Sequence, residues 1–236
     1  DSECYSKNKK HRVFLSTSFF IRLMLLFLRE GRFVIFWLFL LHVFWTMKLF
    51  DISCDIMHSR LYPDTVPPRV VVLSEIDASS PYRVSSLCAD LHTGTHIDAP
   101  LHCFPDGKGI VDIPLDRFWG RCIVVERNGC GTPLPPASDG VGIVLFKGCR
   151  EFPLSEADCR SVVDGGYCTV GCDDITVGAG DGEYVVHRFL LGAGIPVIEG
   201  LCLRDVVPGV YWLSALPVKI DGAEASFCRA VLMALD

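Results

Sequence analysis

Residues 92–102 read HTGTHIDAPLH. Three of the chain's seven histidines, His92, His96 and His102, fall here with Asp98 among them. A lone histidine would be read as an ordinary core or surface residue. Three with an interleaved aspartate are read as a metal site, because neutral imidazole and carboxylate are the donors that zinc and similar divalent ions accept. A structural zinc closes with four ligands, often cysteine; this donor set suits a catalytic site better. The spacing limits the local fold. His92 and His96 stand at i and i+4, as in a helical pair, but Gly94 and Pro100 argue against a helix running through the segment. As a strand it would put those two histidines about 13 Å apart, too far for one ion without a bend. The expected conformation is therefore a turn near Gly94, then an extended stretch through Asp98 to His102, with Pro100 biasing Ala99 toward extended backbone.

Outward from this stretch, short β-branched runs dominate. VVVLS (70–74), CIVVE (122–126), GIVLF (142–146) and PVIE (196–199) read as strands, and Val210–Leu213 and Val218–Ile220 look similar. Ser155–Val163 reads as a helix, with Glu156 in its first turn and Gly165–Gly166 beyond its end. Val185–Leu191 reads as another, stopped by Gly192 and Gly194. Strands alternating with helices predict an α/β single domain with a mixed β-sheet and flanking helices.

The chain of 236 residues suits one domain with or without an appendage, and half of its residues are apolar. A net charge of −6 without a basic stripe excludes nucleic acid as an expected partner. The charge is uneven. Residues 1–46 hold seven Lys/Arg against three Asp/Glu, and residues 47–236 hold fifteen against twenty-five. The head carries two apolar runs, Phe19–Leu28 and Phe33–Trp45, neither long enough to span a bilayer. We read residues 1–46 as an atypical basic and hydrophobic head outside the native domain, such as sequence upstream of a start at Met47. The alternatives are a membrane or export segment within residues 13–46, or a pair of surface helices. The domain is then 47–236 and its expected location cytoplasmic, or membrane-anchored or exported if the head is genuine. The twelve cysteines show no CxxC, and several sit in apolar runs, so reduced structural thiols are expected.

HTGTHIDAPLH resembles the HxGTHxDxPxH signature of the cyclase family of metal-dependent hydrolases, which includes bacterial kynurenine formamidases. The resemblance extends through MKLFDIS (47–53), Tyr62-Pro63-Asp64, GCDDITVG (171–178), HRFLLGAGIPVIEGL (187–201) and ALPVKIDGAEASFCRA (215–230). It implies a swivelling β/β/α fold, a homodimer and two divalent metal ions, zinc first and manganese as the alternative. His92, His96 and Asp98 would bind one ion. Asp98 and His187 would bind the other, and Glu199 would bridge both. His102 would be the proton donor and acceptor. The implied reaction is hydrolysis of an amide C–N bond, that of N-formylkynurenine, giving formate and kynurenine. The alternatives are another amide, lactam or cyclic substrate, or a metal-binding relative without activity. Tyr62 is a candidate to stack on an aromatic substrate, Arg229 to anchor its carboxylate or pair internally, and Asp173 to support a ligand histidine. The chain departs from the family pattern at Tyr62, at Gly148, in the missing glycine before Asp64, and at Glu224, Ala225 and Phe227, which replace Asp, Gly and Pro. These positions border the expected pocket and bear on the substrate rather than on the metal chemistry.

Overall fold

The computed structural model describes residues 48–129, 131–137 and 140–234. The head and the division at Met47 lie outside the described residues. Eleven strands and two α-helices are described: β1 Leu49–Asp51, β2 Arg69–Ser74, β3 Val84–Cys88, β4 His96–Asp98, β5 Trp119–Glu126, β6 Val141–Lys147, α1 Glu156–Asp164, β7 Thr169–Cys172, α2 Glu183–Gly192, β8 Val197–Glu199, β9 Gly209–Ser214, β10 Ala225–Phe227 and β11 Val231–Ala234. Nine strands form one sheet in the order β1-β11-β9-β5-β6-β7-β8-β4-β10. β5 to β8 run parallel, and antiparallel strands extend the sheet at both ends. This is the expected α/β domain with a mixed sheet.

The period-two alternation of side chains divides the apolar residues between two cores. In β6, Ile143 and Leu145 enter one core while Val144 and Phe146 enter the other. The second core is closed by α1 and α2, through Cys159 and Val162 of the first and Val186, Leu190 and Leu191 of the second. Both faces of these central strands are therefore dry, which is why they read as unbroken apolar runs. Cys122, Cys149, Cys159 and Cys172 are buried thiols within these cores.

Local chemistry sets the helix ends. The Ser155 hydroxyl accepts from the Asp158 amide, and the Asp158 carboxylate accepts from the Ser155 amide, closing a capping box. Asp158 also pairs with buried Arg127 at 3.1 Å, tying α1 to the end of β5. α2 ends before Gly194, whose φ of 72° is left-handed backbone that glycine adopts without a Cβ penalty.

Two expectations are corrected. Val218–Ile220 is not a strand. Pro217 makes a single bridge to Cys228, and the chain then turns at Asp221–Gly222. Nor does the extended stretch reach His102. Ala99 is extended, but Pro100 opens a 3₁₀ turn, Pro100–His102, where its fixed φ suits a first helical position. The run VVVLS does form a strand, β2, but it pairs only with β3 in a separate two-stranded ribbon.

Candidate metal centre

The sheet register assembles the site. In β4 Ile97 enters the first core, so its neighbours His96 and Asp98 project from the opposite face. In β8 the same alternation puts Ile198 in the first core and sends Glu199 the other way. His96 pairs directly with Glu199 across the antiparallel β4–β8 ladder. α2 covers that face and carries His187 on its buried side, one turn from Leu190 and Leu191. Asp98, His96, Glu199 and His187 are thereby gathered, all four buried.

The turn at 92–95 reaches this place because two glycines let the backbones touch. A Cβ at Gly200 would lie 2.2 Å from the Gly94 carbonyl oxygen, and both residues have left-handed φ. The Thr95 hydroxyl donates to the Gly200 carbonyl at 2.6 Å and accepts from the Cys54 amide at 2.7 Å, locking the turn. The 3₁₀ turn after β4 then returns His102 to the cluster. Its ring centroid lies 4.4 Å from that of His92 and 5.6 Å from that of His187.

The ring tautomers follow from the backbone. His96 Nδ1–H donates to the Gly94 carbonyl at 3.1 Å, and His187 Nδ1–H donates to the Glu183 carbonyl at 3.0 Å. Each ring therefore presents Nε2 to the site, the arrangement that orients metal-ligating histidines. His187 Nε2 lies 3.1 Å from Glu199 Oε1 and 3.5 Å from Asp98 Oδ2. His96 Nε2 lies 3.4 Å from Glu199 Oε2 and 3.5 Å from Asp98 Oδ1, which is 2.9 Å from His92 Nδ1. The Val177 amide donates to Glu199 Oε1 at 2.7 Å.

Charge and geometry together fit a bound cation. Both Asp98 carboxylate oxygens and His96 Nε2 are buried without a well-directed hydrogen bond. Such atoms are costly unless something satisfies them. Two donor trios lie within ligand reach, His92–His96–Asp98 and Asp98–His102–His187, with Asp98 shared. Burial opposes charge on His187 and His92, yet the nearby Asp98 and Glu199 carboxylates together outweigh it. His187, which also contacts Glu199, is pushed up to about 12 and His92 to about 9. Burial likewise opposes ionisation of Asp98 and Glu199, but the surrounding imidazoles hold both below their ordinary values. A divalent ion bound among these groups would compete with protons for the imidazole nitrogens, so binding should weaken as pH falls. His102 behaves differently: burial and the neighbouring His92 and His187 lower its pKa, so it is neutral at pH 7.

The remaining candidates fall at the margins. Tyr62 is exposed, and its phenol stands beside Glu183 at the start of α2, whose carboxylate raises its pKa. Arg229 is engaged by Asp51, with Nε 2.9 Å from Oδ1, so it is the internal pairing that the structure realises. Among the described residues Asp173 makes no contact with a histidine and serves the backbone instead. Its carboxylate accepts from the Gly148 and Cys149 amides at 2.8 Å, capping the turn after β6. Glu224, not among the sequence candidates for the site, does reach it. Its Oε1 lies 3.5 Å from His92 Nε2. Its approach depends on β10 pairing with β4, a contact that no local pattern announces.

The Cyclase family model matches residues 44–135. The kynurenine formamidase of Paracidovorax citrulli (strain AAC00-1) is 33% identical over 207 residues, covering 78% of this chain and 95% of that protein. The kynurenine formamidase of Salinibacter ruber (strain DSM 13855 / M31) is 37% identical over 171 residues, 65% of this chain and 81% of that one. Among solved structures, a potential metal-dependent hydrolase with cyclase activity superposes with a TM-score of 0.68 at 26% identity, over 80% of this chain and 99% of its own. The metal-binding segment, the strand register that assembles it and these likenesses over most of the chain agree: the protein belongs to the Cyclase family.

Proposed function

We propose that this chain is a metal-dependent amidohydrolase that cleaves N-formylkynurenine to formate and kynurenine, a step of tryptophan catabolism. The observation that carries the reading is the contrast between two kinds of histidine on one face of the sheet. His96 and His187 are buried with Nε2 aimed at shared carboxylates, whereas His102 reaches solvent and packs beside the rings of His92 and His187. The likeness to two kynurenine formamidases supports the substrate.

His92, His96 and Asp98 would hold one divalent ion, Asp98 and His187 a second, with Glu199 between them; zinc suits this donor set. When bound, such ions acidify water and polarise a carbonyl oxygen. The chain's own residues supply the rest. Neutral His102 takes the proton of the attacking water and delivers it to the departing nitrogen. An arylamine leaves readily only when its nitrogen is protonated, so this transfer governs C–N cleavage. Tyr62, exposed beside Glu183 of α2, would contact the aromatic ring of the substrate. The buried floor of Asp98, Glu199, His96 and His187 excludes bulk water from the reacting centre.

We also propose a homodimer. The β2–β3 ribbon supports it, because an isolated two-stranded ribbon is marginal in water and this one exposes valines on both faces.

The reading is tested by incubating the purified chain with zinc and N-formylkynurenine and measuring formate and kynurenine. Equal release of both is expected. A chain that binds zinc yet releases neither would contradict it.

A further inference from the structure

We infer that Glu224 is a specificity-determining residue that receives the ammonium group of the substrate; the inference rests on the formamidase reading above. N-formylkynurenine is an amino acid whose α-ammonium is separated from the aryl formamide by a ketone and a methylene. An enzyme selecting it over simpler formanilides needs a fixed negative charge at that distance from the reacting bond.

Asp98, His96, Glu199 and His187 are buried, whereas His102 is exposed, so a substrate approaches from the side on which His102 meets solvent. His102, His92 and Glu224 line that rim. The Glu224 side chain is 39% exposed, against 21% for His92 and 0% for Asp98. Its carboxylate is open to a ligand on its exposed side, because the contact to His92 is long, at 3.5 Å, and among the described residues no arginine or lysine is paired with it. Its backbone is nevertheless fixed. The Glu224 carbonyl accepts from the Ala99 amide at 2.8 Å, the preceding Ala223 carbonyl accepts from the Ile110 amide at 2.9 Å, and the following Ala225 pairs with Asp98 in the β10–β4 ladder.

The Glu224 carboxylate thus stands at the outer edge of the site on a fixed backbone, with His92 as its one charged partner among the described residues. Asp98 and Glu199 have their imidazoles; Glu224 has one distant ring edge. An ammonium entering along the rim would supply the missing charge in a partly desolvated place, where a charged hydrogen bond is stronger than in bulk water. A neutral or anionic substrate of the same shape would leave the carboxylate unpaired and bind less well. Discrimination of this kind comes from a polar group left without its partner when the wrong ligand binds.

The test is calorimetric binding of L-kynurenine and of 4-(2-aminophenyl)-4-oxobutanoate, which lacks only the ammonium, to the zinc-loaded protein and to its Glu224→Gln variant. Glutamine keeps an acceptor beside His92 and removes the charge. The wild type is expected to favour L-kynurenine at least tenfold, and the variant to lose that preference with its zinc content unchanged. A preference that survives in the variant overturns the inference, as does a wild type that shows no preference or binds neither ligand. Loss of zinc from the variant also overturns it, because Glu224 would then belong to the metal centre. If N-formylkynurenine is not hydrolysed but the Glu224-dependent preference is observed, the formamidase reading fails and this inference stands.

Discussion

His102 differs from its neighbours in what touches it. His96 and His187 are each tethered through Nδ1 to a backbone carbonyl and aimed at carboxylates. His102 packs against the rings of His92 and His187 and has a lowered pKa. Removing it should spare the metal and stop the proton transfer. For His102→Ala we expect turnover to fall by about 10²- to 10⁴-fold with metal content unchanged, measured by steady-state assay beside elemental analysis. Loss of metal in that variant would instead make His102 a ligand, as the trio with Asp98 and His187 permits. How far this site was legible from residues alone depended on density along the chain. His92, His96, Asp98 and His102 declared themselves by crowding. His187 and Glu199 are single polar residues in apolar elements and were found only through the family likeness. Glu224 showed in the sequence only as a departure from the family pattern beside the expected pocket; its contact with His92 depends on β10 reaching β4.

At the scale of elements, the close crossing of two turns holds the centre together. A methyl group at Gly200 would overlap the Gly94 carbonyl, and left-handed backbone at both residues adds strain. Gly200→Ala should therefore cost about 3 kcal/mol or more, read from the urea unfolding midpoint, and should weaken metal binding with it. The Arg127–Asp158 pair ties α1 to β5 in the same way. Both residues are 2% exposed, and Arg127 also donates to the Phe152 and Pro153 carbonyls. Asp158→Ala should destabilise the fold by about 3–5 kcal/mol by leaving a buried guanidinium unpaired. Burial raises the Asp158 pKa, but the Arg127 and Ser155 contacts outweigh it and leave it lowered. Its contribution is thus complete above the ordinary carboxylate pKa of 3.8 and is lost as pH falls through the lower folded value. Acid unfolding of the variant and the parent should accordingly converge. Elements buried on both faces, such as β5 and β6, were plain as apolar runs. β4 was not, since three residues reading His-Ile-Asp carry no strand signal of their own. Val218–Ile220 misled because, after the Val218 amide donates to the Phe227 carbonyl, the chain leaves β10 and turns at Asp221–Gly222.

At the scale of the molecule, the β2–β3 ribbon stands apart from the nine-stranded sheet. Val70 and Val72 lie on one face, Val71 and Leu73 on the other, and all four are exposed. Covering either face with a second copy would remove apolar surface from water. In equilibrium sedimentation the 26.1 kDa chain should show twice its mass, and the Val71→Lys, Leu73→Lys double variant should return it to one. No helix among the described residues is long and apolar enough to cross a membrane. The whole arrangement points inward to one place: two βαβ crossovers on one face of a mixed sheet, with two strand-borne acids and a helix-borne histidine beneath it.

That convergence is tested most directly by the metal dependence of turnover. The protein is stripped with a chelator, assayed on N-formylkynurenine, then titrated with zinc while bound metal is counted. No formate release is expected from stripped protein, and recovery should saturate at about two ions per chain. Full turnover by metal-free protein would rule out the metal centre as the source of activity.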